Sequence, residues 1–146
     1  MDTQQKSAKQ ILQAVAETKS QIARLSQRIE LLEIKCTNIT ARYGGKSSAA
    51  LTCNELWNIL SDERVRLAEQ LRLVLAMERQ VSEWIDLLPR ESWRMVLRLR
   101  YLDGLSFQEV TEAMSQAAKR PYSAAQIYRF HHQALEAADR LWPLKE

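Results

Sequence analysis

The chain has 146 residues, of which 46% are hydrophobic and 27% charged, and its formal net charge is +3. That length suits one compact domain with an elongated element, or two small units. With three Gly, three Pro and no long β-branched run it reads as all-helical, and no stretch approaches the roughly 18–20 uninterrupted apolar residues of a membrane span.

The first element is a long amphipathic helix. Ala8, Ile11, Val15, Thr18, Ile22, Leu25, Ile29, Leu32, Cys36 and Ile39 recur at alternating steps of three and four. That is an a/d seam of more than four heptads, the pattern of a coiled coil. Helix from residue 3 to 42 would span about 60 Å. The opening MDTQQKSAKQ lacks the apolar core of a signal peptide, so a cytoplasmic location is expected.

The seam breaks at YGGKSSAAL, where Gly44, Gly45, Ser47 and Ser48 place a bend over 43–52. Cys36 and Cys53 flank it. A bridge is geometrically conceivable, but two cysteines without a framework point to buried thiols in a reducing cytosol. Gly45-Lys46-Ser47 resembles the end of a P-loop, yet the position five before Gly45 is Thr40 and no strand precedes it.

The second helix is predicted from Thr52, with Thr52 and Glu55 as a capping box. Leu56, Leu60, Leu67, Leu71, Val74, Val81, Ile85 and Leu88 run down one side. Pro89 is read as ending this helix and beginning the next. Two long amphipathic helices joined by a bend make an antiparallel hairpin over residues 1–88. Its extra apolar residues (Trp57, Ile59, Leu73, Leu75, Met77, Trp84) need a cover, which a second copy of the chain supplies most simply. A homodimer is therefore expected, with Ile11, Val15, Ile22, Leu25, Ile29, Leu32, Leu67 and Val74 as its dimerisation residues. The alternative is that the C-terminal module folds back over this face within one chain.

Residues 89–146 read as three short helices, the last two joined by a turn. Trp93, Val96, Leu97 and Tyr101 share a face of the first, and Gly104 follows it as a left-handed stop. The second opens with Ser106 and Glu109, a Ser-x-x-Glu capping box, and buries Phe107, Val110 and Met114. The third opens with Ser123 and Gln126, a Ser-x-x-Gln box, after Pro121 has discouraged helix in the residue before it. Tyr122 and Ile127 flank that cap as a hydrophobic staple. Ile127, Phe130, Ala134 and Leu135 form the third apolar face. Such a trio suits a helix-turn-helix, which presents its last helix to the DNA major groove.

The strings LRLRYLDGLS, SFQEV and IYRFHHQAL lie in order on these helices. Over about 45 residues the segment resembles region 4 of the sigma-70 family. It is closer still to small phage- and prophage-encoded regulators with a sigma-region-4-like C-terminus, the group of the RinA- and ArpU-like activators. Tyr128, Arg129 and His131 fall where that pattern has them. The resemblance implies an all-α chain, with the helical hairpin (coiled coil) followed by a helix-turn-helix domain of sigma region 4 type. It also admits RNA polymerase as a partner, as for sigma region 4.

Two departures stand out. The family joins the last two helices by a tight turn, whereas SQAAKRP lengthens it here and adds Lys119 and Arg120. The early positions of the recognition helix are Ala124 and Ala125, which can touch a thymine methyl but cannot read a guanine.

The charge is not concentrated in the module: residues 1–85 hold 12 Lys/Arg against 10 Asp/Glu, and residues 86–146 hold 9 against 8. Local clusters are Arg94, Arg98 and Arg100, then Lys119, Arg120 and Arg129. For a recognition helix at 123–136, the base-reading candidates are Gln126, Tyr128, Arg129, His132 and Gln133. The candidates for backbone contact are Ser106, Lys119, Arg120 and Ser123. His131 is expected to pack or hydrogen-bond. Adjacent His131 and His132 point about 100° apart on a helix and have no Cys-x-x-Cys beside them, so no metal is expected. No cofactor and no catalytic constellation is read from the chain. The expected function is sequence-specific regulation of phage or prophage genes, on double-stranded DNA, as a dimer. A phage packaging or assembly subunit and a protein-docking module are the alternatives.

Overall fold

The computed structural model describes residues 7–43 and 47–143, with side chains described over 7–38 and 54–143. Among the described residues the chain is all-α. It has five helices: α1 Ala8–Tyr43, α2 Ser47–Ile85, α3 Glu91–Leu97, α4 Phe107–Ala118 and α5 Ala124–Leu141. A wider π turn, Arg98–Leu102, extends α3.

Several boundaries differ from the sequence reading. α1 starts at Ala8 because Ser7 and Gln10 form a capping box. The Ser7 N–H donates to Gln10 Oε1 at 2.9 Å, and the Gln10 N–H donates to Ser7 Oγ at 3.2 Å. α2 is already helical at Ser47, so Thr52 lies inside it and is not its cap. Ala49, Ala50 and Leu51 are strong helix formers, which explains the early start. Helix therefore takes most of the expected bend, and residues 44–46 lie outside the described residues. α2 stops at Ile85, and the Leu87 and Leu88 N–H groups bond back to Trp84 and Ile85. Pro89 follows the helix end by four residues, and extended Arg90 is the N-cap of α3.

The connection between α4 and α5 is tighter than SQAAKRP suggested. Residues 115–118 are helix, leaving Lys119–Ser123 as the turn. Gln116, Ala117 and Ala118 favour helix. α4 then ends in a Schellman closure: the Arg120 N–H reaches Ser115 O and the Lys119 N–H reaches Gln116 O. Lys119 is left-handed there, with φ 57°.

The chain divides into two units, Met1–Glu17 with Ala76–Glu146, and Thr18–Leu75. In the first, one core joins Leu12 and Val15 of α1, Val81 and Ile85 of α2, Val96 and Leu97 of α3, and Val110 and Ile127 of the last two helices. Leu12 lies off the a/d seam, yet is fully buried. This end of α1 buries a wider arc than a two-stranded seam would require. Asp139 of α5 ties it down further, its Oδ1 accepting the Ala8 N–H at 2.8 Å.

In the second unit Ile29, Cys36 and Leu60 are buried, with Leu25, Leu32, Leu56 and Leu67 packed on them. Arg28 pairs with Glu63 at 3.0 Å and Arg64 with Glu33 at 3.5 Å, between α1 and α2. With at least one exposed partner in each, these pairs contribute at most about 1 kcal/mol each. Cys53's side chain lies outside the described ones, and with it the expected state of the two thiols.

The chain thus supplies partners for several residues expected to join two copies. Ile11 and Val15 pack in the first unit, and Leu25, Ile29, Leu32 and Leu67 in the second; Val74 is buried and Ile22 half-buried. The surplus apolar residues split. Met77 and Trp84 pack on the first unit's core, while Trp57, Ile59, Leu73 and Leu75 stay 41–62% exposed.

Candidate nucleic-acid interface

The candidate surface is the α4–turn–α5 corner of the first unit, and its geometry starts with caps. Ser106 Oγ accepts the Glu109 N–H at 3.2 Å, and Glu109 Oε1 accepts the Ser106 N–H at 2.9 Å. These bonds to Ser106 hold the Glu109 carboxyl below its ordinary pKa. Ser123 and Gln126 make the same reciprocal pair, at 3.1 and 2.9 Å. Before α4, Gly104 takes the left-handed stop with φ 72°. Both helices are therefore fixed at their first turn, and they pack on each other and on α3.

α5 is seated by apolar and polar contacts. Ile127, Ala134, Ala137 and Ala138 are buried, and Trp142 just beyond the helix packs on Trp84 with ring centroids 5.7 Å apart. His131 turns inward. Its Nε2 lies 2.8 Å from Tyr101 Oη, and Phe107 meets its ring edge-on at 5.0 Å. Burial, then the charges of Arg100, Lys9 and His132, push its pKa down to about 4. Burial likewise pushes Tyr101 up. His131 is thus a neutral packing and hydrogen-bonding group near pH 7.

The first arginine cluster is occupied within the fold. Arg94 donates to Leu88 O at 2.5 Å. Arg98 donates to Ser82 Oγ at 2.8 Å and also binds Asp86. Arg100 donates to Leu105 O at 3.0 Å, with its guanidinium 4.4 Å from the Phe107 ring centroid. All three are half-buried and lock the segments on either side of α3. The sequence grouped them as a cationic run, and only tertiary contacts separate such a run from a binding surface.

The base-reading candidates also separate. Tyr128 is 53% exposed and leans on Phe107 at 4.6 Å. Arg129 is exposed, with no hydrogen-bond or ion-pair partner among the described residues. His132 is exposed and its Nε2 lies 2.7 Å from Glu136 Oε1. Gln126 is exposed, but its side-chain oxygen serves the cap. Gln133 is half-buried and accepts the Trp93 Nε1–H at 3.2 Å.

Of the backbone candidates, Ser106 and Ser123 are the two exposed N-caps. Lys119 is exposed at the left-handed turn, and exposed Arg120 reaches Tyr122 Oη at 3.2 Å. Tyr122 meets Phe130 edge-on at 5.7 Å. The sequence carries one more signal for this surface. From Ala113 to Leu135 no Asp or Glu occurs, while Lys119, Arg120 and Arg129 do. The turn and the first half of α5 therefore present cationic and neutral groups only, as a polyanion requires.

Among the described residues no three His, Cys, Asp or Glu side chains gather as a metal set, and no helix is long and apolar enough to cross a membrane. No protein-family model, curated protein or solved structure matches the chain.

Proposed function

We propose that the chain is a sequence-specific DNA-binding regulator of phage or prophage type, with α3–α5 as a helix-turn-helix of sigma region 4 kind. α5 lies in the major groove, and Lys119 and Arg120 meet phosphates beside it. The observation that carries this reading is the acid-free stretch 113–135, where two independently capped helices are joined by a short turn and Arg129 is exposed. α1 and α2 act as an antiparallel coiled-coil hairpin, and a second copy docks on the apolar residues its own chain leaves open. On α2 those are Trp57, Ile59, Val65, Leu71, Leu73 and Leu75, all at least 40% exposed. They replace the seam residues as the dimerisation surface in this reading.

The test is titration of labelled duplex DNA with the full chain at several salt concentrations. Affinity is expected to fall linearly on a log–log plot, and the joint Lys119→Ala, Arg120→Ala variant should flatten the slope by about 2. A variant slope equal to the native one would remove these residues from the phosphate contacts.

The same exposed apolar residues favour a second reading, a phage assembly or packaging subunit built on the same helix-turn-helix. Light scattering separates the two: a ring-sized mass supports assembly, and a dimer supports the regulator.

A further inference from the structure

The proposed interface has few side chains able to read a base, and their commitments within the fold single one out. Ala125, Tyr128, Arg129, His132 and Glu136 occur at i, i+3, i+4, i+7 and i+11, so they line one face of α5. Reading adenine takes both ends of a glutamine amide, an acceptor and a donor together. Gln126 has its oxygen on the Ser123 N–H at 2.9 Å, and releasing it opens that half of the α5 capping box. Gln133 has its oxygen on Trp93 Nε1 at 3.2 Å and is half-buried.

Toward the C-terminal end, His132 is joined to Glu136 at 2.7 Å. The Glu136 carboxylate would be repelled by phosphates, which confines base contact to the first two turns. There Tyr128 leans its ring on Phe107 at 4.6 Å, while Arg129 is exposed and unpaired among the described residues, with the methyl of exposed Ala125 one turn before it. An arginine fork matches the O6 and N7 acceptors of guanine, and an alanine methyl matches the thymine methyl.

We infer that the DNA taken by this surface is a duplex identified by one guanine, read by Arg129, beside a thymine whose methyl meets Ala125, and that neither Gln126 nor Gln133 reads a base. The inference rests on the DNA-binding reading above and goes beyond it by assigning the readout.

Selection from a randomised double-stranded DNA library tests it, using the native chain, Arg129→Ala, Gln126→Ala and Gln133→Ala. Circular dichroism first checks that each variant keeps its helix content. The native chain is expected to enrich a site with a fixed guanine. Arg129→Ala should lose that preference by on the order of 10- to 100-fold, and both glutamine variants should select the native site. Replacing the neighbouring thymine by uracil, which removes only the methyl, should weaken native binding several-fold and leave Ala125→Gly binding unchanged. Retention of the guanine preference in Arg129→Ala overturns the inference, as does loss of an adenine position in either glutamine variant. Enrichment of no duplex by the native chain overturns the DNA-binding reading itself, a result distinct from enrichment without a guanine.

Discussion

Leu12 offers a sharp test of how the N-terminal turns of α1 are held. It sits off the a/d seam, so a seam that only joins two helices would leave it at the margin. In the fold it is fully buried, in the core shared by α1, the end of α2 and α3–α5. Leu12→Ala removes three carbons, worth about 2.5 kcal/mol at roughly 0.8 kcal/mol per buried methylene. The unfilled space raises the expected loss to about 3–4 kcal/mol. Urea denaturation followed by tryptophan fluorescence reads it well, because Trp84 and Trp142 pack together at this core. The loss should not change with protein concentration, since the contacts lie within one chain. Leu31→Ala, at a side chain 62% exposed, is the control and should stay within about 0.5 kcal/mol of the native chain. A loss below about 1 kcal/mol for Leu12→Ala would refute the packing described here.

Four further outcomes are expected. Gly104→Ala should cost about 1–2 kcal/mol in a thermal melt purely through its left-handed φ of 72°, because a Cβ there meets nothing within 4 Å. Lys119→Gly, at the other left-handed position, should gain up to about 1 kcal/mol, and a loss would contradict the closure of α4. Stability should also fall as pH drops from 6.5 toward 4, because unfolded His131 takes up a proton that the folded chain resists. This contribution is fully present above pH 6.5 and amounts to about 1–2 kcal/mol after discounting for partial exposure. His131→Gln should flatten that window, and parallel native and variant profiles would rule the effect out. In the thermal melt Asp139→Ala should cost about 1 kcal/mol by freeing the Ala8 N–H, whereas Asp139→Asn, whose amide oxygen can still accept it, should lose only a small part of that.

What could be read from the sequence was mostly local. Ser106 with Glu109, Ser123 with Gln126, and Gly104 carry their conformations in residues three or four apart, and the fold realises all of them. Ser7 with Gln10 has the same signature, and the fold realises it as the cap of α1, just ahead of the first seam residue Ala8. The end of α4 was misplaced because Lys119 takes the left-handed position usually held by glycine. The Asp139 cap on Ala8 joins residues 131 apart, and no window of sequence contains it. The candidate surface was legible in its outline and not in its assignments. Whether Arg94, Arg98 and Arg100 face solvent, or Gln126 and Gln133 are committed, depends on contacts with Leu88, Ser82, Leu105, Ser123 and Trp93. Residue type and helical position leave those choices open.

The measurement that bears most directly on the central claim is dimethyl sulfate protection on the selected duplex. The reagent methylates guanine N7 in the major groove and adenine N3 in the minor groove, so it reports which groove is filled. With α5 in the major groove, the native chain should protect guanine N7, and Arg129→Ala should abolish protection of the guanine that Arg129 reads. Protection confined to adenine N3, or guanine protection unchanged by Arg129→Ala, would contradict the account.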